Sequence, residues 1–377
     1  MGLFSLGTSA TAIGLDIGTD HVRVASVKPA GSGFVLNGYG VVPVPMGAVV
    51  EGEIVDAEAV SGSIKEVLRR SGIRTRECAI GVSNQKVVVR LIDLPFMERT
   101  ELEGAIQYQA QDYIPIPIED AILDFQVIGD YMTPSDEHMM EVLLVAAQRD
   151  MISLAVHAVE SSGLKLTQID VTSFAIVRAL MADSADVLPE EGEEAGEAVG
   201  VIHISSGVTN IAVVEKGIPR FNRVSSLAGN QFSQAIANVL NLTFDEAEAI
   251  KLQVGLPAMG SEGPPATASD LDPQVVQVAQ DALEREVNKF IAEVRRSLDY
   301  YLTQTAQIRT IRRILLTGSG AQLGNMAEYL EKGLQATVEL ADPLDRVQLA
   351  SSASAVVQAD RMGCAPAVGL ALGGAMK

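Results

Sequence analysis

Tryptophan is absent from this 377-residue chain, and nine Phe and seven Tyr supply all its aromatic rings. Apolar residues still make up 47%, so the core has to be aliphatic, built from Ala, Val, Ile and Leu. Two cysteines, Cys78 and Cys364, form neither a disulfide framework nor a metal-ligand spacing, and four scattered His argue against a zinc site. Basic residues are few, 28 against 48 acidic ones. The resulting charge of −20 repels a phosphate backbone and excludes nucleic acid as a first guess. The N-terminus lacks the basic start and apolar stretch of a signal peptide. The longest uncharged run, Pro29–Val50, carries five Gly and three Pro, so it reads as strands and turns rather than a membrane span. A soluble cytoplasmic protein of two or three domains is expected.

Within these limits the pattern alternates strand and helix. Thr11–Pro29 reads as strand, glycine turn, strand, with a period of two over Val22–Val27. A helix is predicted over Asp56–Ser71, strands over Cys78–Val82 and Lys86–Leu94, and a helix from Glu98 to Tyr113, stopped by Pro115 and Pro117. Strands at Ile122–Ile128 and Glu141–Ala147 and a helix at Arg149–Ser162 complete a β/α unit expected to span Ile92 to Lys165. Asp183–Glu197 carries seven acidic residues and no basic one, the mark of a solvated linker. Gly255–Pro273, with four Pro and three Gly, reads as a loop before a long amphipathic helix over Gln274–Gln307.

Four small constellations carry chemistry. In Ile13–Asp20, Gly18 at a tight turn can bring backbone N–H groups against a phosphate, and Thr19 adds a hydroxyl. Asp16 is placed to orient water on Mg²⁺. The same segment is also a good turn with a polar tip. A coarse echo, His203–Asn210, repeats strand, Gly/Ser turn, strand. The strand Arg313–Thr317 then runs into Gly318-Ser319-Gly320 and a helix expected from Gln322. Glu248 and Lys251 share one helical face at i, i+3, which alone would be an ordinary surface ion pair.

The order of these elements resembles the actin/hexokinase/DnaK superfamily, in which two hairpins clamp nucleotide phosphates and a later glycine turn holds adenosine. Within it, the chain is similar to the PilM family of type IV pilus assembly, with the FtsA cell-division family as a cousin. The most specific residues lie outside the nucleotide motifs: Leu94-Pro95, Glu101–Ile106, Tyr113–Pro117, Val142–Ala147 and Ser162–Lys165, in an insertion that sugar kinases and DnaK-type chaperones lack. The resemblance implies an α/β, actin-like (ribonuclease H-like) two-lobed ATP-binding fold. Its first subdomain would comprise 1–91, 166–182 and 345–377, and the insertion 92–165. An acidic linker at 183–198 would lead to a second subdomain of 199–224 and 308–344, carrying a helical subdomain of 225–307.

Carried over residue by residue, the resemblance makes Asp16, Gly18 and Thr19 the first phosphate loop and Ser206, Gly207 and Thr209 the second. Gly229 would approach the phosphates, and Glu248 and Lys251 would contact ribose and adenine. Gly318, Ser319 and Gly320 would form the adenosine turn. Asp170 would join Asp16 as a second catalytic acid on the Mg²⁺ and water side. The implied cofactors are ATP or ADP with Mg²⁺. The implied partner is the N-terminal cytoplasmic peptide of the inner-membrane protein PilN, which would hold the protein at the membrane's inner face. Other pilus platform or motor ATPase components are further expected partners.

One motif departs from the pattern, at two positions. Where the second hairpin usually reads Asp-x-Gly, this chain has His203-Ile204-Ser205. A neutral His is a poor hard-oxygen ligand, and losing one positioned group commonly costs on the order of 10²–10³ in rate. The expectation is a nucleotide-binding scaffold with weak or no hydrolysis. One alternative is an FtsA-like protein with active hydrolysis. It lacks support from the tail Ala367–Lys377, which is small and nearly uncharged rather than a basic membrane helix. Another is a dinucleotide enzyme on Gly318–Gly324 with Glu339, which leaves both hairpins unexplained.

Overall fold

The computed structural model describes residues 4–5, 13–31, 33–181, 198–258, 268, 270–304 and 310–376. The chain opens with β1 (Phe4–Ser5), the β2 (Ile13–Ile17) and β3 (His21–Ala30) hairpin, β4 (Gly33–Pro43) and a small β5 (Val49–Val50), β6 (Glu53–Ile54) pair. Next come α1 (Ala57–Ser71), β7 (Glu77–Val82), β8 (Val87–Pro95), α2 (Arg99–Gln109), β9 (Ala121–Met132), β10 (His138–Gln148) and α3 (Arg149–Ser161). After β11 (Lys165–Val171) and α4 (Thr172–Leu180) the second half begins with β12 (Ala198–Ile204), β13 (Thr209–Glu215) and β14 (Ile218–Ser225). Helices α5 (Gly229–Leu240), α6 (Phe244–Val254) and α7 (Pro273–Gln304) follow, then β15 (Ile311–Thr317), α8 (Met326–Leu334) and β16 (Thr337–Leu340). Short β17 (Val347–Leu349), α9 (Ser351–Ala359) and α10 (Ala365–Ala375) end the chain.

The echo seen in the sequence is a repeat of topology. One sheet runs β1-β11-β7-β2-β3-β4-β17 and the other β14-β13-β12-β15-β16. In each, an antiparallel three-strand meander is extended by two parallel strands, so β4-β3-β2-β7-β11 matches β14-β13-β12-β15-β16. Parallel neighbours need crossovers, which the intervening helices provide. A third sheet, β8-β10-β9, carries α2 on one face through Leu102 and Ile106, with Ala110 packed just past the helix end. It spans Val87–Gln148, starting before the expected boundary at Ile92. Helix α3, expected inside that unit, packs instead on α1. The predicted acidic linker lies outside the described residues.

Local chemistry sets the helix ends. Asp56 accepts a hydrogen bond from the Ala59 amide at 3.0 Å to open α1, and Gly72 closes it at φ +66°. Thr243 and Glu246 form a capping box at α6. The helix expected from Gln322 starts only at Met326. A 3₁₀ turn, Ser319–Gln322, comes first, and Asn325 sits in the left-handed region at φ +65°.

Helices α4 and α10 lie between the two large sheets. Ile176, Val177 and Ala365 pack on Val201, Ala212, Val214 and Leu315 of the second sheet, while α10 rests on β2 and β3. Contact is close because glycine stands where the backbones meet. A Cβ on Gly369 would overlap the Ala175 carbonyl, and one on Gly14 would overlap that of Ala367. This covering also explains why β3 is buried from Val22 to Val27 on both faces, against the half-buried alternation its pattern suggested.

Gly369→Ala should therefore destabilise the protein despite gaining about 1 kcal/mol of helix propensity. Overpacking of this kind costs about 1–3 kcal/mol, and the clash with a backbone carbonyl places it at the upper end. A lower urea midpoint checks it; an unchanged or higher midpoint contradicts the close α4–α10 contact.

Candidate phosphate-clamp site

The turns after β2 and β12 project into one cleft lined by Asp16, Gly18, Thr19, Asp20, Arg23, Ser83, Thr172, His203, Ser205, Asn210 and Ser319. The tips touch. Ser206 Oγ donates to Asp20 Oδ2 at 2.6 Å, and Gly207 packs so tightly on Thr19 that a Cβ there would overlap the threonine hydroxyl. Ser83 Oγ donates to Asn210 Oδ1 at 2.7 Å, a second bond across the lobes. The cavity between the tips is about 40 Å³. At roughly 10–15 Å³ per water by the same kind of measure, that is room for a few waters. Anything larger would require the tips to part.

At its base lies Arg23, 6% exposed. Its Nε and Nη2 donate to Asp360 Oδ2 and Oδ1 at 2.7 and 3.2 Å, and Tyr39 Oη donates to Asp360 Oδ2 at 2.6 Å. Arg23 Nη1 is 3.9 Å from a carboxylate oxygen of both Asp16 and Asp20. Burial pushes Asp16 up to about 6 against the pull of Arg23, and the charges of Asp20 and Asp360 add to the rise. Burial would raise Asp20 too, but bonds from His21 and Ser206 and the Arg23 charge hold it well below the usual carboxylate range. His203, fully enclosed, is pushed down to about 3 by burial and by Arg23, so it is neutral; its Nδ1 has no hydrogen-bond partner.

The expected residues divide. Asp16, Gly18, Thr19 and Ser319 line the cleft, and Ser206 and Gly207 form its opposing tip. Thr209 does not face it: fully buried, it donates to the Leu227 carbonyl at 2.8 Å. Asp170 is turned away as well. Its carboxylate accepts from Arg178 Nη2 at 3.0 Å and from the Val171 amide at 2.8 Å. Asp170, expected as a second catalytic acid, is held in this ion pair and does not line the cleft, where Thr172 stands at the wall. Gly229 and Asn230 donate their amides to the Ser205 and Ser206 carbonyls, tying α5 to the second tip.

Glu248 and Lys251 are no ordinary surface pair. Lys251 is buried, 2.7 Å from Glu248, and donates to Ser233 Oγ and the Gly229 carbonyl at 3.0 and 3.4 Å. Gly255, at the end of α6, packs on Gly324, and Leu256 donates to the Gly324 carbonyl, which brings this pair toward the third glycine turn. In that turn Gly318 has φ +96° and packs on the Ile204 backbone, so the fold itself already requires it, while a Cβ on Gly320 would overlap the Ile204 side chain.

Arg23, Asp20, Asp360 and Tyr39 escaped the sequence reading. A lone charge in a Val/Ala strand was a signal for Arg23; Asp360 lies 337 residues away and has none. The donor set fits a magnesium nucleotide once the tips part. Asp16 and Asp20 are hard oxygen donors beside glycines that admit a phosphate. Three carboxylates against one guanidinium leave an excess of negative charge that a cation would offset.

Comparison with known proteins places this geometry. A family model described as type IV pilus assembly protein PilM matches residues 14–375. A solved PilM–PilN type IV pilus biogenesis complex is 27% identical, with a TM-score of 0.78 and 97% and 98% of the two chains covered. The cell division protein FtsA of Escherichia coli (strain K12) is 25% identical over 371 residues, covering 88% of this chain and 84% of FtsA. MreB5 of Spiroplasma citri bound to AMPPNP shares the fold, at 15% identity and a TM-score of 0.50, with 89% and 92% covered. The fold is actin-like.

The buried acid and base should show in acid stability. A depressed His pKa adds stability above about 6.5 that is lost as pH falls toward 3; a raised Asp pKa adds stability as pH falls from about 6 toward 3.8. Between pH 7 and 5 the two oppose each other, at about 2 and 1 kcal/mol. Relative to wild type, His203→Asn should gain stability over that interval and Asp16→Asn should lose it. Urea unfolding at both pH values checks the signs; the same pH dependence in all three proteins would contradict the assignments.

Proposed function

The chain belongs to the family of type IV pilus assembly proteins PilM, and from that premise we propose that it is an ATP-binding scaffold at the inner face of the cytoplasmic membrane. It binds the N-terminal cytoplasmic segment of a PilN and relays nucleotide state to the pilus platform, with little or no hydrolysis. The observation that carries this reading is the meeting of two hairpin tips, one from each lobe, over Asp16 and Arg23. A phosphate chain between the tips would touch both lobes, so occupancy and lobe angle are coupled.

The family's nucleotide-binding relatives support ATP or ADP as the ligand, and the acid-rich cleft supports Mg²⁺, which would neutralise phosphate charge there. Thr19 and Ser206 supply hydroxyls, Arg23 a buried positive charge, and Glu248 and Lys251 a polar pair toward the adenosine end. His203 is neutral and Asp170 is paired with Arg178, so neither of these two positions supplies a free carboxylate to orient an attacking water. That supports slow turnover. Among the described residues no helix is long and apolar enough to cross a membrane, so attachment falls to the partner.

For PilN, the insertion offers an edge. Strand β8 faces β14 across a groove of about 360 Å³ lined by Val87–Arg90, Pro115, Phe221–Val224, Glu293 and Tyr300. Both strands end their sheets, so an extended peptide could pair with either. Because the groove runs between the insertion and the second lobe, a peptide there would sense lobe movement.

Titration of the PilN N-terminal peptide by calorimetry should show binding to wild type. Arg90→Glu, an exposed groove residue, should weaken it about tenfold, or about 1.4 kcal/mol. Full affinity in that variant would remove the groove from the account. Single-turnover assays should find ATP bound yet scarcely hydrolysed; robust wild-type turnover would contradict the scaffold reading.

A further inference from the structure

The Asp360–Gly363 turn belongs to neither hairpin, yet it touches both ends of the cleft. On one side Asp360 grips one edge of the Arg23 guanidinium through Nε and Nη2 and is itself fixed by Tyr39, 3% exposed. That leaves Nη1 directed between Asp16 and Asp20, toward the tips. On the other side the Met362 carbonyl accepts from the Gly318 amide at 3.1 Å and from Thr317 Oγ1 at 3.4 Å, at the start of the third glycine turn. Gly363 is where the turn closes on Arg23: a Cβ there would overlap Asp360 Oδ1 and lie 2.9 Å from Arg23 Nη2.

We propose that Asp360 and Tyr39 are positioning residues for polyphosphate binding, holding Arg23 so that its Nη1 edge faces the phosphate chain while the same turn braces the glycine turn after β15. This rests on the nucleotide reading above. A free Arg side chain has many rotamers to lose on binding, and a bidentate carboxylate removes most of that freedom before the ligand arrives. The buried Tyr39 hydroxyl keeps that carboxylate from rotating. Simple electrostatics makes the opposite prediction: removing the Asp360 charge from an already acidic cleft should tighten the binding of a polyanion.

The experiment is calorimetric titration of the full chain with ATP and Mg²⁺, and separately with adenosine. Asp360→Asn should weaken ATP about tenfold and leave adenosine within twofold. Gly363→Ala, which changes no charge, should show the same selective loss. In an Arg23→Gln background, Asp360→Asn should add less than twofold, because its effect runs through the guanidinium. Tyr39→Phe should lose about threefold and keeps the test open if Asp360→Asn does not fold. Equal or tighter ATP binding by a folded Asp360→Asn overturns the proposal. So does an equal loss for adenosine, or a full loss on top of Arg23→Gln. Wild type that binds no ATP overturns the nucleotide reading itself, a distinct failure.

Discussion

One buried guanidinium organises the cleft of this molecule. Arg23 stands on a strand whose neighbours are Val and Ala, and its charge survives there only because Asp360 meets it in two hydrogen bonds. An uncompensated charge at such a depth would cost several kcal/mol, so strand, ion pair and turn have to arrive together. Around it the two sheets bring matching hairpins to within one hydrogen bond of each other, Ser206 to Asp20. The contact between lobes and the charged floor of the cleft share these atoms, so a ligand between the tips would change both.

Close approach supplies the second constraint. Helices α4 and α10 fill the space between sheets with Ala, Val and Gly, and the glycines sit where two backbones would otherwise overlap. The glycines of the third turn serve packing first: Gly318 and Gly320 clear Ile204. A glycine motif of this type marks a tight backbone crossing before it marks a ligand.

This explains what the sequence could reveal. Hairpins, the insertion and the strand–glycine–helix element are local patterns, and each is present, with shifted edges at the insertion and at the helix after Gly320, while the two halves share one strand order. Side-chain partners are less legible. Thr209 has the spacing of a phosphate contact but bonds Leu227 eighteen residues on. Asp170 has the position of a catalytic acid, and its carboxylate is held by Arg178 of α4, eight residues on. Asp360 and Tyr39 acquire roles only when the chain's two ends pack together. Which face of a buried strand a polar residue takes is decided by the covering element, and period-two reasoning cannot see that when both faces are covered.

The central claim is that the two tips form one phosphate clamp closed over Arg23. A crystal structure of the full chain with Mg²⁺ and a non-hydrolysable ATP analogue tests it most directly. The account predicts the phosphate chain between Thr19 and Gly207, the Asp20–Ser206 bond broken, and Arg23 still held by Asp360. An analogue bound elsewhere, or tips still in contact beside it, would contradict it.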